Sequence, residues 1–419
     1  MPKEPGNPVN NLPMKKLLLI SYYWPPLGGP GSLRPVKFAK YLPEFGYEPI
    51  VLTRKSIPYH SMDKELGDQV KHIKTIRTES IDPARLLHIL GMRHYRPKPW
   101  HLPVKQVMNF PDHKILWLPF AFNTARRIEF DYVFVTAPPF SAFLNGYYLA
   151  RALSKPLILD FRDAWLEFPF LPYKTRMKKA YVSHWEKKLV DLAALIIVVD
   201  ENIKEKLLER YPSVQKKVFV LPNGYDPADF VIQDKPKTFT ASYLGTIREE
   251  RNPMNILKAI NELIKDRKIT SDDIKLKFIG HIEDDYLREI NKFSFTETYG
   301  HLPYSQAIRE FSTSHLGIMI TTGSKYFFPS RQNEYLAAGL PIIVCGKSRG
   351  IHLLEKAFDK GYPGWIFEYN NTLGIKKQIL KVYSKFKQGH IMQGTTPYTQ
   401  YTRRNLTKKL AELIGKIRK

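Results

Sequence analysis

The stretch LLLISYYWPPLGGPGSLRPVKFAKYL, residues 17–42, decides the fold. Leu17 to Ile20 form a continuous apolar run of β type. A Pro/Gly turn follows, and a helix-like segment begins at Ser32. In that segment Leu33, Val36, Ala39 and Leu42 recur at steps of three, and Pro43-Glu44-Phe45-Gly46 ends it. Strand, glycine turn and helix in that order open a βαβ unit. Gly28, Gly29 and Gly31 carry no Cβ, so the backbone can approach a ligand closely. The start of the following helix offers free N–H groups and the positive end of a dipole. That geometry suits a phosphate or a polar sugar. It equally serves as a plain tight connection, and this stretch alone leaves both readings open.

The rhythm continues outward from this stretch. Apolar β-like runs recur at Pro49–Thr53, Tyr132–Thr136, Pro156–Asp160, Leu195–Asp200 and Val218–Leu221, with helical stretches between them. Short, uninterrupted apolar runs fit central strands of a parallel sheet. Ligands of such sheets sit at the carboxyl ends of the strands. Two strand exits here are chemically loaded, Ala137-Pro138-Pro139-Phe140-Ser141 and Asp160-Phe161-Arg162-Asp163-Ala164-Trp165. Asp160, Arg162, Asp163 and Trp165 together read as a charge-paired polar site with an aromatic wall. The plainer reading is that Arg162 pairs with Asp160 or Asp163 to tie down a loop.

The turn cluster LPNGYD (221–226) ends the sixth run, and a polar stretch to Lys237 marks the domain boundary. A second βα series follows, with strands expected at Ala241–Gly245, Leu276–Gly280, Leu316–Ile320, Pro341–Cys345 and Gly364–Phe367. Ile256, Leu257, Ile260, Leu263 and Ile264 make an apolar helix stripe. Arg248 and Arg251 lie in the first βα turn, where forked donors can hold a diphosphate. The alternative there is salt bridging to Glu249 and Glu250. In PSRQNEYLAAGLPIIVC (329–345), Glu334 opens a short helix closed by Gly339-Leu340-Pro341. A carboxylate so placed can accept two hydrogen bonds from a ribose diol; an ordinary first-turn acid would look the same. Leu406, Leu410, Leu413, Ile414 and Ile417 form a terminal amphipathic helix, expected to pack back on the first domain.

Bulk properties bound the function. A chain of 419 residues is too long for one ordinary core, so two domains are expected. The net charge of +25 points to an anionic partner: nucleic acid, an anionic membrane surface or a phosphorylated substrate. Two segments concentrate basic residues. MRHYRPKPWHLPVK (92–105) mixes cations with Tyr95 and Trp100. Lys174, Arg176, Lys178 and Lys179 open a helix running through Trp185 and Leu192. Cys345 is the sole cysteine, which rules out an intramolecular disulfide and fits a reducing compartment. Within the run PIIVC it reads as a buried thiol. No run approaches the ~20 apolar residues of a membrane span. Residues 1–13 read as a disordered leader. No His/Asp/Cys cluster has metal-ligand spacing, so no metal cofactor is expected.

Taken together, YYWPPLGGPGSLRPVKFAKYL, FPDHKILWLPFA, TAPPFSA, DFRDAW, VFVLPNGYDPADF, YLGTIREERNP and PSRQNEYLAAGLPII, in this order, resemble the retaining nucleotide-sugar glycosyltransferases of family four. The resemblance runs over almost the whole chain from Met14. It implies a GT-B fold of class α/β, two Rossmann-like doubly wound domains facing a cleft. The acceptor domain would span 14–225, the nucleotide-sugar domain 226–397, and residues 398–419 would pack back on the first domain. Gly28, Gly29 and Gly31 match the family's glycine loop. Arg251 matches its basic diphosphate ligand, with Arg248 a second candidate. Glu334 matches the ribose-holding acid of the Glu-x7-Glu motif, and Ser330 and Arg331 the polar pair before it. Two positions depart from the pattern. Tyr326 stands where the first Glu is expected, so the donor sugar is not assigned by the motif. Arg162 and Asp163 occupy the neighbourhood of a His that many relatives carry near the reacting sugar; Asp163 would orient the acceptor or sugar.

The implied activity is retaining transfer of a sugar from a nucleoside diphosphate to an acceptor, a glycan or a lipid-linked or polysaccharide precursor. The catalytic groups would be Asp163, Arg162 and Arg251. The implied setting is cytoplasmic, with peripheral contact at an anionic inner membrane face, and no nucleic acid is expected. A nucleotide-sugar epimerase of the same fold is the nearest rival. A non-catalytic anion- or nucleic-acid-binding protein is the rival from another class.

Overall fold

A computed structural model describes residues 13–56, 62–81, 85, 88–89, 111–168, 175–230, 234–321, 331–390, 392–395 and 398–417. The chain divides into two compact units. Unit 1 takes the described residues of Met1–Tyr59, Gly67–Pro222 and Leu406–Lys419; unit 2 takes those of His60–Leu66 and Asn223–Asn405.

Unit 1 is built on a seven-stranded parallel sheet of order β3-β2-β1-β4-β5-β6-β7. Its strands are β1 (Lys15–Ile20), β2 (Tyr47–Arg54), β3 (Thr75–Thr78), β4 (Tyr132–Ala137), β5 (Leu157–Phe161), β6 (Leu195–Val198) and β7 (Val218–Val220). Each of the six β-runs expected in this half is a strand, with ends shifted by a residue or two. Leu17 to Ile20, Val133 to Val135 and Leu157 to Leu159 are almost wholly excluded from solvent. A sheet covered by helices on both faces requires this of its central strands. The helix after the glycine turn spans Pro30–Tyr41, two residues earlier than its apolar spacing suggests. Proline fixes φ for the first helical position and needs no partner for a missing N–H, so Pro30 starts the helix.

Unit 2 has a six-stranded parallel sheet of order β10-β9-β8-β11-β12-β13. The strands are β8 (Phe239–Leu244), β9 (Ile274–Ile279), β10 (Thr296–Gly300), β11 (Leu316–Ile320), β12 (Ile342–Cys345) and β13 (Gly364–Phe367). The stripe of Ile256, Leu257, Ile260 and Leu263 lies in the Met254–Lys265 helix and is buried against this sheet. Cys345 ends β12 fully buried, and burial pushes its thiol well above the ordinary value.

The last helix is Arg403–Gly415. Leu406, Leu410, Leu413 and Ile414 are buried, and Tyr47 Oη donates to the Ala411 carbonyl at 3.3 Å. From Leu406 onward the chain belongs to unit 1, whereas residues 398–405, expected to pack with it on the first domain, belong to unit 2.

Candidate functional site

In unit 1 the glycine turn is held from beneath. Gly29 sits at φ +87°, left-handed backbone that side-chain-bearing residues avoid, and precedes the helix. Its carbonyl accepts from Ser32 N at 3.1 Å and Leu33 N at 3.3 Å. Gly31 packs so closely on Tyr23 that an added Cβ would lie 3.0 Å from the ring. Gly28 is buried and Gly29 half-buried. Ser32 Oγ is buried in the first helical turn and has no hydrogen-bond partner among the described residues.

Arg162 fastens this turn to the loop after β4. Its Nη1 donates to Gly31 O at 2.6 Å, its Nε to Ala137 O at 3.1 Å, and its Nη2 to Pro138 O. Arg162 is expected to tie down a loop by pairing with Asp160 or Asp163; it ties the loops through carbonyls, and Asp160 is held by another arginine. Arg34 holds the Asp160 carboxylate in a forked contact, with Nη2 to Oδ1 at 2.9 Å and Nε to Oδ2 at 3.1 Å. Thr136 Oγ1 adds a third bond at 2.7 Å. Arg34 also donates to the Leu221 and Pro222 carbonyls at 2.9 and 3.0 Å. Both partners of this ion pair are buried, so removing either would strand a charge, at a cost of about 3–5 kcal/mol.

Asp163, by contrast, is half-buried beyond β5. Burial pushes its carboxyl up to about 6, against the pull of Arg162 and with a smaller push from Asp200. Trp165 is not the aromatic wall its position suggests. It is fully buried, stacked on Phe140 with ring centroids 5.2 Å apart, and it supports the loop from the core. Asp112, in the FPDHK segment, accepts from Ser141 N at 2.8 Å and Ser141 Oγ at 2.7 Å, pinning the TAPPFSA loop at the start of the Ala142–Leu153 helix.

In unit 2 the short Gln332–Ala337 helix is bolted down residue by residue. Gln332 Nε2 donates to Gly350 O and Asn333 Nδ2 to Asn223 O, each at 2.6 Å. Tyr335 Oη donates to Ile318 O at 2.6 Å and accepts from Leu244 N at 2.9 Å, tying the helix to β11 and β8. Between these anchors lies Glu334, buried, with Oε1 accepting from Tyr304 Oη at 3.3 Å. Its Oε2 has no hydrogen-bond partner among the described residues, and neither has Arg331 Nη1. Burial raises the Glu334 carboxyl, while Arg331 and Arg403 pull it back. The Arg331 guanidinium lies 6.0 Å from the Tyr304 ring centre.

The two arginines after β8 separate in role. Arg248 is 2.9 Å from the Glu250 carboxylate, the salt bridge that was the alternative reading. Arg251 instead reaches the strand end. A Cβ added to Gly245 would lie 3.0 Å from Tyr243 Oη and 3.3 Å from Arg251 Nη1. Burial raises the Tyr243 hydroxyl, and Arg251, hydrogen-bonded to it, is the strongest opposing influence, ahead of Arg331 and Arg248. Arg251, Arg331 and Glu334 thus gather beyond the carboxyl ends of β8 and β11, where open α/β sheets bind ligands. Ser330, Tyr326, Lys174 and the 92–105 segment lie outside the described residues.

Sequence reasoning missed Tyr304, Tyr243 and Asp63. Asp63 Oδ1 accepts from Leu66 N at 2.8 Å and Oδ2 from Tyr304 N at 2.9 Å, so one carboxylate fixes two chain segments of unit 2 and with them Tyr304. Asp63 and Tyr304 stand outside the quoted motifs, and Tyr243 opens YLGTIREERNP, where it reads as an ordinary strand residue. Among the described residues, no group of three or more His, Cys, Asp or Glu could hold a metal ion.

The family model for Glycosyltransferase Family 4 matches residues 36–229. The chain carries a glycosyltransferase family 4 domain. Solved structures agree with this family's GT-B architecture over nearly the full length. A glycosyltransferase from Rickettsia africae is 12% identical, with a TM-score of 0.64 over 96% of this chain and 98% of that one. Anabaena Alr3699/HepE, solved with UDP-glucose, is 13% identical, with a TM-score of 0.63 over 96% and 99%. A protein assigned as a UDP-N-acetylglucosamine 2-epimerase from Listeria monocytogenes is 13% identical, with a TM-score of 0.57 over 96% of each chain. No curated protein matches the sequence. The two parallel α/β sheets of this chain are those of GT-B proteins.

Proposed function

We propose that the chain transfers a sugar from a uridine diphosphate sugar to a glycan or lipid-linked acceptor, with retention at the anomeric carbon. One observation carries this reading: buried Glu334 Oε2 and Arg331 Nη1 both lack hydrogen-bond partners among the described residues, in and just before a helix that Gln332 Nε2 and Asn333 Nδ2 anchor. A carboxylate oxygen left so is poised to accept from a ribose diol, and a guanidinium left so to donate to phosphate. Arg251, at the end of β8, supplies a second cation for the charge that develops on the leaving diphosphate. Preorganised donors of this kind lower the barrier without a covalent intermediate. The binding of UDP-glucose by Anabaena Alr3699/HepE, on the same fold, supports the choice of donor class.

In unit 1, Ser32 Oγ and the first N–H groups of the Pro30–Tyr41 helix face the same kind of chemistry at the glycine turn. Asp163, a carboxyl raised by burial to about 6, orients the acceptor hydroxyl or the sugar.

A thermal-shift screen across nucleotide sugars tests the donor. Stabilisation by UDP and one or more UDP-sugars is expected, and indifference to every nucleoside diphosphate would overturn the proposal. Proton NMR of the reaction mixture then separates the rivals. An anomerically retained glycoside formed only with acceptor present supports transfer. An epimerised nucleotide sugar formed without acceptor would make the chain an epimerase.

A further inference from the structure

The segment RMKKAYVSHWEKKLVDL folds as one helix, Arg176–Leu192, in unit 1. Val182, Leu189 and Val190 pack into the core of that unit. On the opposite side Met177, Tyr181, His184, Lys188 and Leu192 recur at steps of three and four, which places them on one face. A helix face turned to water normally carries small or charged residues. This one leaves Met177 78% exposed, Leu192 38% and Tyr181 37%, and the neighbouring Ala142–Leu153 helix adds Tyr148 at 39%.

The aromatic rings form a connected group. Trp185, half-buried at the edge of the face, lies 5.4 Å from Tyr147, 6.0 Å from Tyr148, 6.1 Å from His184 and 6.2 Å from Tyr181. Lys188 Nζ sits 5.2 Å above its ring. On and beside this face stand Arg151, Arg176, Lys187 and Lys188, all exposed. The local acids do not balance them. Glu186 is buried and held by Arg210 at 3.0 Å, and Asp191 pairs with Lys187 at 2.7 Å.

We propose that this face docks on an anionic lipid bilayer, Met177, Tyr148 and Tyr181 entering the headgroup layer while the surrounding lysines and arginines meet lipid phosphates. Tyrosine and tryptophan favour the water–lipid boundary because one end of the side chain is apolar and the other polar. Each cation near an anionic surface strengthens binding about fivefold. The chain's +25 charge adds a longer-range attraction of the same sign. A second copy of the chain is a poor occupant, since self-pairing would set lysines against lysines. Among the described residues, no helix is long and apolar enough to cross a membrane, so this contact is with the surface. The inference does not depend on the sugar-transfer reading.

Co-sedimentation of the full chain with vesicles of phosphatidylcholine alone, or of phosphatidylcholine with phosphatidylglycerol, tests it. The wild type is expected to pellet with the mixed vesicles, to be released by high salt, and to stay in solution with phosphatidylcholine alone. Lys187→Glu with Lys188→Glu should weaken binding more than tenfold, and Met177→Glu alone about threefold or more. Melting temperatures within 2 °C of wild type would show that the variants are folded. Equal binding to both vesicle types, no binding to either, or binding unchanged by these substitutions would overturn the proposal. So would a concentration-dependent dimer, by analytical ultracentrifugation, that Met177→Glu converts to monomer.

Discussion

Arg162 donates to the carbonyl of Gly31 across 2.6 Å, joining the exit of β5 to the glycine turn after β1. The same guanidinium reaches the Ala137 and Pro138 carbonyls, so one side chain sets the spacing of three loops at the carboxyl edge of the sheet. Arg162→Lys keeps the charge but loses the planar fork that reaches all three. Turnover should fall about 30-fold or more, while the UDP-induced thermal shift stays near that of wild type. A variant with normal turnover would show that the glycine turn holds its shape without the clamp.

Asp163 gives a prediction with a defined pH window. Its folded-state value of about 6 lies above the ordinary 3.8, because burial disfavours the charge. The folded state therefore favours the protonated form. The contribution to stability is full below about pH 4, shrinks as pH rises toward 6, and is absent above that. Asp163→Asn removes a buried charge, so at pH 7.5 the variant should be about 1–2 kcal/mol more stable than wild type in urea unfolding. The difference should close by pH 4. The same variant should be strongly impaired in transfer if the carboxylate orients a substrate. A stability difference that does not vary with pH would place Asp163 in a more solvated setting.

How legible was this chain? The central strands were plain, because parallel strands covered on both faces must be apolar throughout, as LLLI and LIIV are. The two strands that escaped notice, β3 (TIRT) and β10 (TETYG), each sit at one edge of their sheet, where half-exposed positions take polar residues and erase the pattern. Among the residues proposed for the site, Glu334 and Arg251 can be singled out from sequence because they lie in dense local motifs. Tyr304 was not, since its role rests on contacts with Asp63 and Glu334, far away in sequence. Trp165 was misjudged for a related reason. A strand exit says where a residue leaves the sheet, not whether its side chain turns back into the core.

The two arginines after β8 should differ sharply under mutation. Arg251 lies against Tyr243 and Gly245 at the strand end, whereas Arg248 is engaged by Glu250. Arg251→Ala should lower kcat by about 100-fold or more, the usual loss when a donor to developing negative charge is removed. Arg248→Ala should stay within about threefold of wild type, because a partly exposed ion pair contributes little. Steady-state kinetics with the donor found by thermal shift decides between them, and equal losses would put both guanidinium groups on the diphosphate.

In the proposed donor site, Tyr304 positions Glu334. Its hydroxyl, 3.3 Å from Oε1, is the only side-chain donor to that carboxylate among the described residues. Burial raises the phenol well above its ordinary value, so it stays a donor at any physiological pH. Tyr304→Phe keeps the ring beside Arg331 but frees the carboxylate to rotate. A neutral-to-charged hydrogen bond of this kind contributes about 1.5–3 kcal/mol, so UDP affinity measured by calorimetry should fall roughly 10-fold or more. Glu334→Ala should cost at least as much. The double variant should be no worse than Glu334→Ala alone, because Tyr304 acts on the nucleotide only through that carboxylate. Additive losses would mean that Tyr304 touches the nucleotide itself.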